Sequence, residues 1–280
     1  MTNSIPSSGR NEAERRPDII DTHAHLDMET FNSDRAGVIS RAQNKGVSTI
    51  ITVGMGLESS NEAIKLAESN PGILVMAGFH PHQASQVKED DIESLVSLSE
   101  HPKVVAIGET GLDFYRNYSP RETQLRVLEW QLELAVRLDL PVVIHCRQAE
   151  KDILPILHNW TSRHHQSGGT PRGVVHCFNN VIDMARQYLN MDFFVSLGAY
   201  IGYPSSGYLH DVIRYIPNNR LIVETDCPFL PPQAYRGKRN EPAYITYTVD
   251  TIAGFRGETW ETIAIETTRN ARQLFAIPQD

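Results

Sequence analysis

The chain has 280 residues, enough for one large α/β domain or two small ones and for a substantial buried core. Its 40% hydrophobic and 21% charged residues are ordinary for a soluble enzyme, and no apolar run is long enough to span a bilayer. A formal net charge of −8 argues against broad, nonspecific clamping of duplex nucleic acid, though not against a nucleic-acid substrate whose phosphate is held by metal.

Residues 1–17 are polar and lack the apolar core of a signal peptide. They read as a flexible tail, with 18–280 a single domain and a cytoplasmic location the default. The first strand follows in IIDTHAHLD (19–27). Side chains two apart on a strand share a side, so His23 and His25 aim two imidazoles at one point, as metal ligands do. A helix over 34–45, stopped by Gly46, leads to a strand over 47–54. A helix over 58–69 then precedes a strand over 72–80, and a helix over 91–100 precedes a strand over 103–113. The amphipathic segment 120–138 leads to a strand over 141–147. A helix over 150–160 and a Gly-rich linker over 164–171 come before a strand over 172–178. Helices over 181–189 and 207–215 alternate with strands over 192–200 and 220–230. Two helices, 242–255 and 259–275, close the chain, with Thr259 as N-cap of the second.

Continuous apolar runs of this kind suit parallel strands buried on both faces. Eight of them alternating with helices predict right-handed βαβ units closed into a (β/α)8 TIM barrel.

The unusual residues collect at the C-terminal strand ends, the rim where such a barrel carries its active site. They are His23 and His25, His80 and His82, Glu109 and Asp113, His145 and Arg147, His176, and Glu224 and Asp226. Four histidines (His23, His25, His145, His176) with Glu109 and Asp226 are too many ligands for one tetrahedral ion. They suit two cations about 3.5–4 Å apart, bridged by a carboxylate. Glu109, ending a central strand, is the natural bridge, and Asp226 a terminal ligand that orients the attacking water. Cys146, Cys177 and Cys227 each follow a ligand. Strand alternation turns them away from the lumen as small buried hydrophobes, and their number and spacing make a disulfide framework unlikely.

Several other residues have more than one reading. His80 and His82, outside the six ligands, contact the scissile phosphate, protonate the leaving oxygen, or order their loop. Arg147 pairs with a substrate phosphate or with Asp113 or Glu150. Asp21 and Asp113 are expected to fix imidazole tautomers. The basic loop of Arg236, Lys238 and Arg239 guides a nucleic-acid end or is a solvated charge run. Tyr115, Phe178 and Tyr200 stack on bases or pack. His101, His158, His164, His165 and His210 read as surface residues.

The segments IIDTHAHLD, AGFHPH, AIGETGLDFY, PVVIHCRQAEKD, VVHCF, LIVETDCPFLPP and RGKRNEPAYI resemble the TatD family of metal-dependent deoxyribonucleases, within the larger amidohydrolase-type barrel group. The resemblance runs over nearly the whole chain after the tail. It implies a distorted TIM barrel and two divalent ions, Mg²⁺ or Mn²⁺, on His23, His25, Glu109, His145, His176 and Asp226. The imidazole-rich set suits Zn²⁺ equally by softness. The implied activity is hydrolysis of DNA phosphodiesters, chiefly from single-stranded 3′ ends, with His80 acting on the substrate. Asn179-Asn180 stand where the family usually has a small polar pair after HCF, which makes Asn179 a candidate substrate contact. The expected protein is thus a 3′–5′ exodeoxyribonuclease with no membrane or obligate protein partner. The alternative is an amide, lactone or small phosphoester hydrolase on the same binuclear barrel.

Overall fold

The computed structural model describes residues 17–279, so all of the expected tail except Pro17 lies outside the described residues. In chain order the elements are β1 (Ile19–Ala24), α1 (Arg35–Asn44), β2 (Val47–Gly54), α2 (Leu57–Glu68), β3 (Ile73–Ala77) and α3 (Glu89–Ser99). Next come β4 (Val104–Asp113), α4 (Arg121–Arg137), β5 (Val142–Arg147), α5 (Glu150–Gln166), β6 (Gly173–Val175) and α6 (Ile182–Leu189). The chain ends with β7 (Phe194–Leu197), α7 (Leu209–Tyr215), β8 (Leu221–Val223), α8 (Ile245–Arg256) and α9 (Trp260–Phe275).

The strands pair in parallel in the order β1 to β8. The ring is shut beyond β8: the Asp226 amide donates to the His23 carbonyl at 2.9 Å and the His25 amide to the Cys227 carbonyl at 2.8 Å. This is the expected (β/α)8 barrel. Two cores hold it. Inside the ring, Ile20, Ile51, Val53, Met76, Ala106, Val143, Val174, Phe194 and Ile222 fill the lumen, and Leu274 and Phe275 of α9 plug its lower end. A larger apolar shell lies between the strands and the outer helices. The Thr259 side chain accepts from the Thr262 amide, as an N-cap does.

Several predicted boundaries moved. The ladders of β6, β7 and β8 are only three, four and three residues long, because these chains leave the sheet early to carry their last residues over the rim. Helix α5 runs on to Gln166, through part of the expected linker. Buried Trp160 donates its indole N–H to the Leu132 carbonyl of α4 at 3.1 Å, and this packing outweighs the polar composition of the final turns.

Candidate metal centre

Period-two alternation brings three of the strand ends to the lumen. Val143, Val174 and Ile222 belong to the inner core. Two residues beyond each stand His145, His176 and Glu224, and Asp226 follows two further on. On β1 and β4 alternation alone fails, since Ile20 and His23, like Ala106 and Glu109, are three apart. The register slips between Asp21 and Ala24 and between Ile107 and Thr110, and these irregularities let His23 and Glu109 reach the centre. Gly111, at φ +147°, makes the second one feasible: a Cβ there would lie 1.9 Å from the His145 carbonyl oxygen.

Glu109 is the hub. Its Oε1 lies 2.6 Å from His145 Nδ1, 2.8 Å from His176 Nε2 and 3.4 Å from His80 Nε2, and its Oε2 lies 3.3 Å from His23 Nε2. Asp226 Oδ1 is 3.3 Å from His25 Nε2 and 3.8 Å from His23 Nε2. The rings of His23 and His176 stack at 4.0 Å. Three ligand groups converge within 4.8 Å: His23–His176–Asp226, His23–His25–Glu109 and His80–Glu109–His145. All six expected ligands are therefore at one rim. His80, expected outside the set, joins the third group. Its Nδ1 accepts the His82 backbone N–H at 3.1 Å.

Outer carboxylates hold two of these histidines from behind. Asp113 Oδ2 lies 3.3 Å from His145 Nε2 and 2.8 Å from His82 Nε2, as expected of a tautomer-fixing partner. Glu224 does the same for His176, with Oε1 3.4 Å from Nδ1, while it accepts from Ser196 Oγ at 2.6 Å and from the Cys177 amide at 2.7 Å. The sequence reading gave Glu224 no role, although alternation from Ile222 marks it as lumen-facing. Asp21 differs from expectation. It accepts from the Thr225 hydroxyl at 2.6 Å and the Thr225 amide at 2.9 Å, and so ties β1 to the end of β8 rather than fixing an imidazole.

Two buried glutamines of α4 were also missed, since a Gln in an amphipathic helix carries no local signal. Gln131 accepts from the Phe79 amide at 2.7 Å and donates to the Phe79 carbonyl and Thr110 Oγ1. Gln124 accepts from the Asp113 amide at 2.8 Å and donates to the Ser119 carbonyl. Together they pin the strand ends that carry His80 and Asp113.

Of the remaining candidates, Arg147 is exposed with its guanidinium 4.1 Å above the Tyr115 ring. Asp113 is taken by histidines and Glu150 by Asn180. Asn179 is exposed, and its carbonyl accepts from the Tyr208 hydroxyl. Arg239 is not a rim cation. It pairs with Asp34 and Glu241, which also hold Arg41, and so binds the loop after β8 to α1. Arg236 lies over the Tyr203 ring. Phe178 and Tyr200 are buried, the Tyr200 hydroxyl donating to the Phe178 carbonyl, so they pack rather than await bases. His164 leans on Trp160, and His101 accepts from the Lys103 amide while facing Glu68. The three cysteines are free, and burial pushes Cys146 up to about 12 and the other two well above the ordinary thiol value. All three stay as thiols within the apolar packing.

Burial opposes charge throughout the centre, yet the imidazoles of His176, His80 and His23 hold the Glu109 carboxyl well below the ordinary range. Burial drives His23 down and His80 down to about 4. Asp226 lifts His25 against its burial, as Asp113 and Glu109 lift His145. Three buried nitrogens, His23 Nδ1 and Nε2 and His25 Nδ1, have no hydrogen-bond partner. Buried polar atoms are rarely left this way. Orphaned imidazole nitrogens around ionised carboxylates are the donor set a divalent cation takes, so the residues fit metal.

An α/β barrel whose C-terminal rim gathers histidines and carboxylates in this manner defines the class of metal-dependent barrel hydrolases. The family described as TatD related DNase matches residues 20–276, and the chain belongs to it. Its relatives include an uncharacterized metal-dependent hydrolase, YabD, of Bacillus subtilis, 39% identical over 259 residues covering 92% of this chain and 99% of that one. The 3′-5′ ssDNA/RNA exonuclease TatD of Musicola paradisiaca is 35% identical over 267 residues, covering 93% and 99%. The crystal structure of YjjV, a TatD homolog from Escherichia coli, superposes with a TM-score of 0.86 at 30% identity, covering 93% and 98%. A β-aspartyl dipeptidase from Fervidobacterium islandicum, at TM-score 0.61 and 16% identity over 93% of this chain and 74% of its own, shares the fold alone. Among the described residues, no helix is long and apolar enough to cross a membrane.

Proposed function

We propose that this hydrolase is a two-metal 3′–5′ exonuclease acting on single-stranded DNA ends. The observation that carries the reading is the Glu109 carboxylate, with His23 on one oxygen and His80, His145 and His176 on the other. Two ligand groups share that residue, as a bridging carboxylate requires. The Musicola relative, a 3′-5′ ssDNA/RNA exonuclease matched along nearly its whole length, supports the substrate.

His23, His25, Glu109, His145, His176 and Asp226 would hold the ions, Mg²⁺ or Mn²⁺ by family and Zn²⁺ by ligand softness. Bound there, two divalent ions supply Lewis acidity at a phosphoryl oxygen and lower the pKa of water. The chain's own residues do the rest. Asp226, held below the ordinary carboxylate range despite its burial, keeps a lone pair to orient and accept from the attacking water. The backbone N–H on His80 Nδ1 places the proton of its neutral ring on Nε2. From there it donates a hydrogen bond to the departing 3′-oxygen. Arg147 and Asn179, both exposed, flank the centre as contacts for the phosphate backbone.

The test offers the metal-loaded enzyme 3′- and 5′-labelled single-stranded DNA, the matching RNA, duplex DNA, and a panel of amides, lactones and monoesters. The expected result is stepwise release of mononucleotides from 3′ ends of single strands, with two metal equivalents per chain. Turnover of an amide, lactone or monoester with intact oligonucleotides would overturn the reading in favour of the small-molecule hydrolase. Full activity with one equivalent removes the two-metal part.

A further inference from the structure

We infer that Phe229 and Tyr118 are nucleobase-stacking platforms on opposite sides of the metal centre, and that they confine the enzyme to single-stranded ends. The inference rests on the exonuclease reading above and names the residues that select its substrate. Of nine large hydrophobic side chains exposed among the described residues, five lie on loops leaving the C-terminal strand ends: Tyr115, Tyr118, Val181, Tyr208 and Phe229. Single exposed apolar residues need no explanation. A concentration of them around one polar rim marks a binding surface.

Two of these rings stand against the centre itself. Phe229, 47% exposed, has its ring centroid 5.7 Å from that of His25, at 76°. Tyr118, 64% exposed, is 4.8 Å from His82, also at 76°, and His82 is 4.2 Å from His80. The first ring follows β8 and the second follows β4. These strands are four apart in a closed ring of eight, so their loops face each other across the lumen.

The backbone beneath each ring is pinned. The Asn240 side chain donates to the Phe229 carbonyl at 2.7 Å, and its amide donates to the Pro228 carbonyl at 3.1 Å. Next to Tyr118, Ser119 is fully buried, donates to the His82 carbonyl at 3.0 Å and accepts from Gln124. An exposed flat ring on a rigid backbone loses little freedom when it binds. Every base has a π-face, so such platforms hold a strand without reading its sequence. Two of them across one centre require consecutive bases to be splayed apart, which a stacked duplex does not permit. In a chain of net charge −8, stacking also supplies attraction that a basic groove would otherwise give.

The test uses the full-length, metal-loaded enzyme and three oligonucleotides: one intact, one abasic at the 3′-terminal nucleotide and one abasic at the nucleotide before it. In the wild type each abasic position should lower kcat/KM about ten-fold. Phe229→Ala and Tyr118→Ala should each erase the penalty at one position and leave the other, while Phe229→Trp retains both. A 2-aminopurine base at the 3′ end should be quenched on binding to the wild type and less so on binding to the variant that faces it. Phe229→Leu and Tyr118→Leu, which keep bulk without a flat face, repeat the comparison if an alanine variant folds poorly. Equal penalties in variants and wild type, or a wild type indifferent to abasic ends, overturn the stacking inference and leave the exonuclease reading standing. Failure of the wild type to cut single-stranded DNA overturns both.

Discussion

Four imidazoles stand within 3.4 Å of Glu109, and His145 and His176 are in turn held from behind by Asp113 and Glu224. On the metal reading, the charge of that one carboxylate, more than its shape, would hold the imidazoles and a cation together. Glu109→Gln should therefore fold but lose at least one metal equivalent per chain by elemental analysis; two full equivalents in a folded variant would refute the bridge. His80 separates binding from chemistry, because its Nδ1 accepts a backbone N–H and its Nε2 keeps a proton to donate only while it holds no cation. His80→Ala should keep near-normal metal content and lower kcat on single-stranded DNA about 10²-fold. A p-nitrophenyl ester of thymidine phosphate, whose leaving group needs little help, should recover much of that loss. Equal loss on both substrates would make His80 a phosphate contact, and no loss on either would pass the role to His82.

At the scale of elements, α4 does more than cover the barrel. Gln131 satisfies both backbone polar groups of Phe79, one residue before His80, and Gln124 does the same for Asp113. Gln131→Leu keeps the volume and orphans a buried N–H and C=O. It should cost about 1–3 kcal/mol in thermal or denaturant unfolding. The activity lost should exceed that of a surface change on α4, since the strand end under His80 loosens. A variant with unchanged unfolding would show that the Phe79 groups find other partners. The strands and helices themselves follow from local pattern, and β2 is found at the expected 47–54. The extension of α5 does not, because it depends on Trp160 meeting α4.

For the whole molecule, the candidate metal centre lies at one rim of the barrel while α9 plugs the other. The six proposed ligands come from β1 and its end, β4, β5 and the segments after β6 and β8, so ions held there would cross-link much of the ring. Each ion at a hundred times its Kd should add about 2.7 kcal/mol to stability. That is several degrees in Tm for a chain of this size. Chelation should lower Tm by that amount and restoring Mn²⁺ or Zn²⁺ should recover it, read by scanning calorimetry. A Tm indifferent to chelator in a demonstrably metal-free sample would place the ligands elsewhere.

The sequence alone determined the strand count, their order and the rim where chemistry gathers, because these rest on local period and on the handedness of strand–helix–strand connections. His145 and His176 were legible for the same reason, as residues in step with the apolar positions before them. Glu109 was legible only as chemistry and His23 only as the strand-mate of His25, since their reach into the lumen needs register slips that no local pattern announces. The tertiary structure alone decided the polar partners: Glu224 behind His176, Asp21 on Thr225, and Arg239 drawn from the rim to Asp34. Tyr200 packs inside while Phe229 stands out at the rim for the same reason. These contacts join residues up to 205 positions apart. Closing the ring is what brings them within reach, and a side chain's donors and acceptors are compatible with many partners until it does.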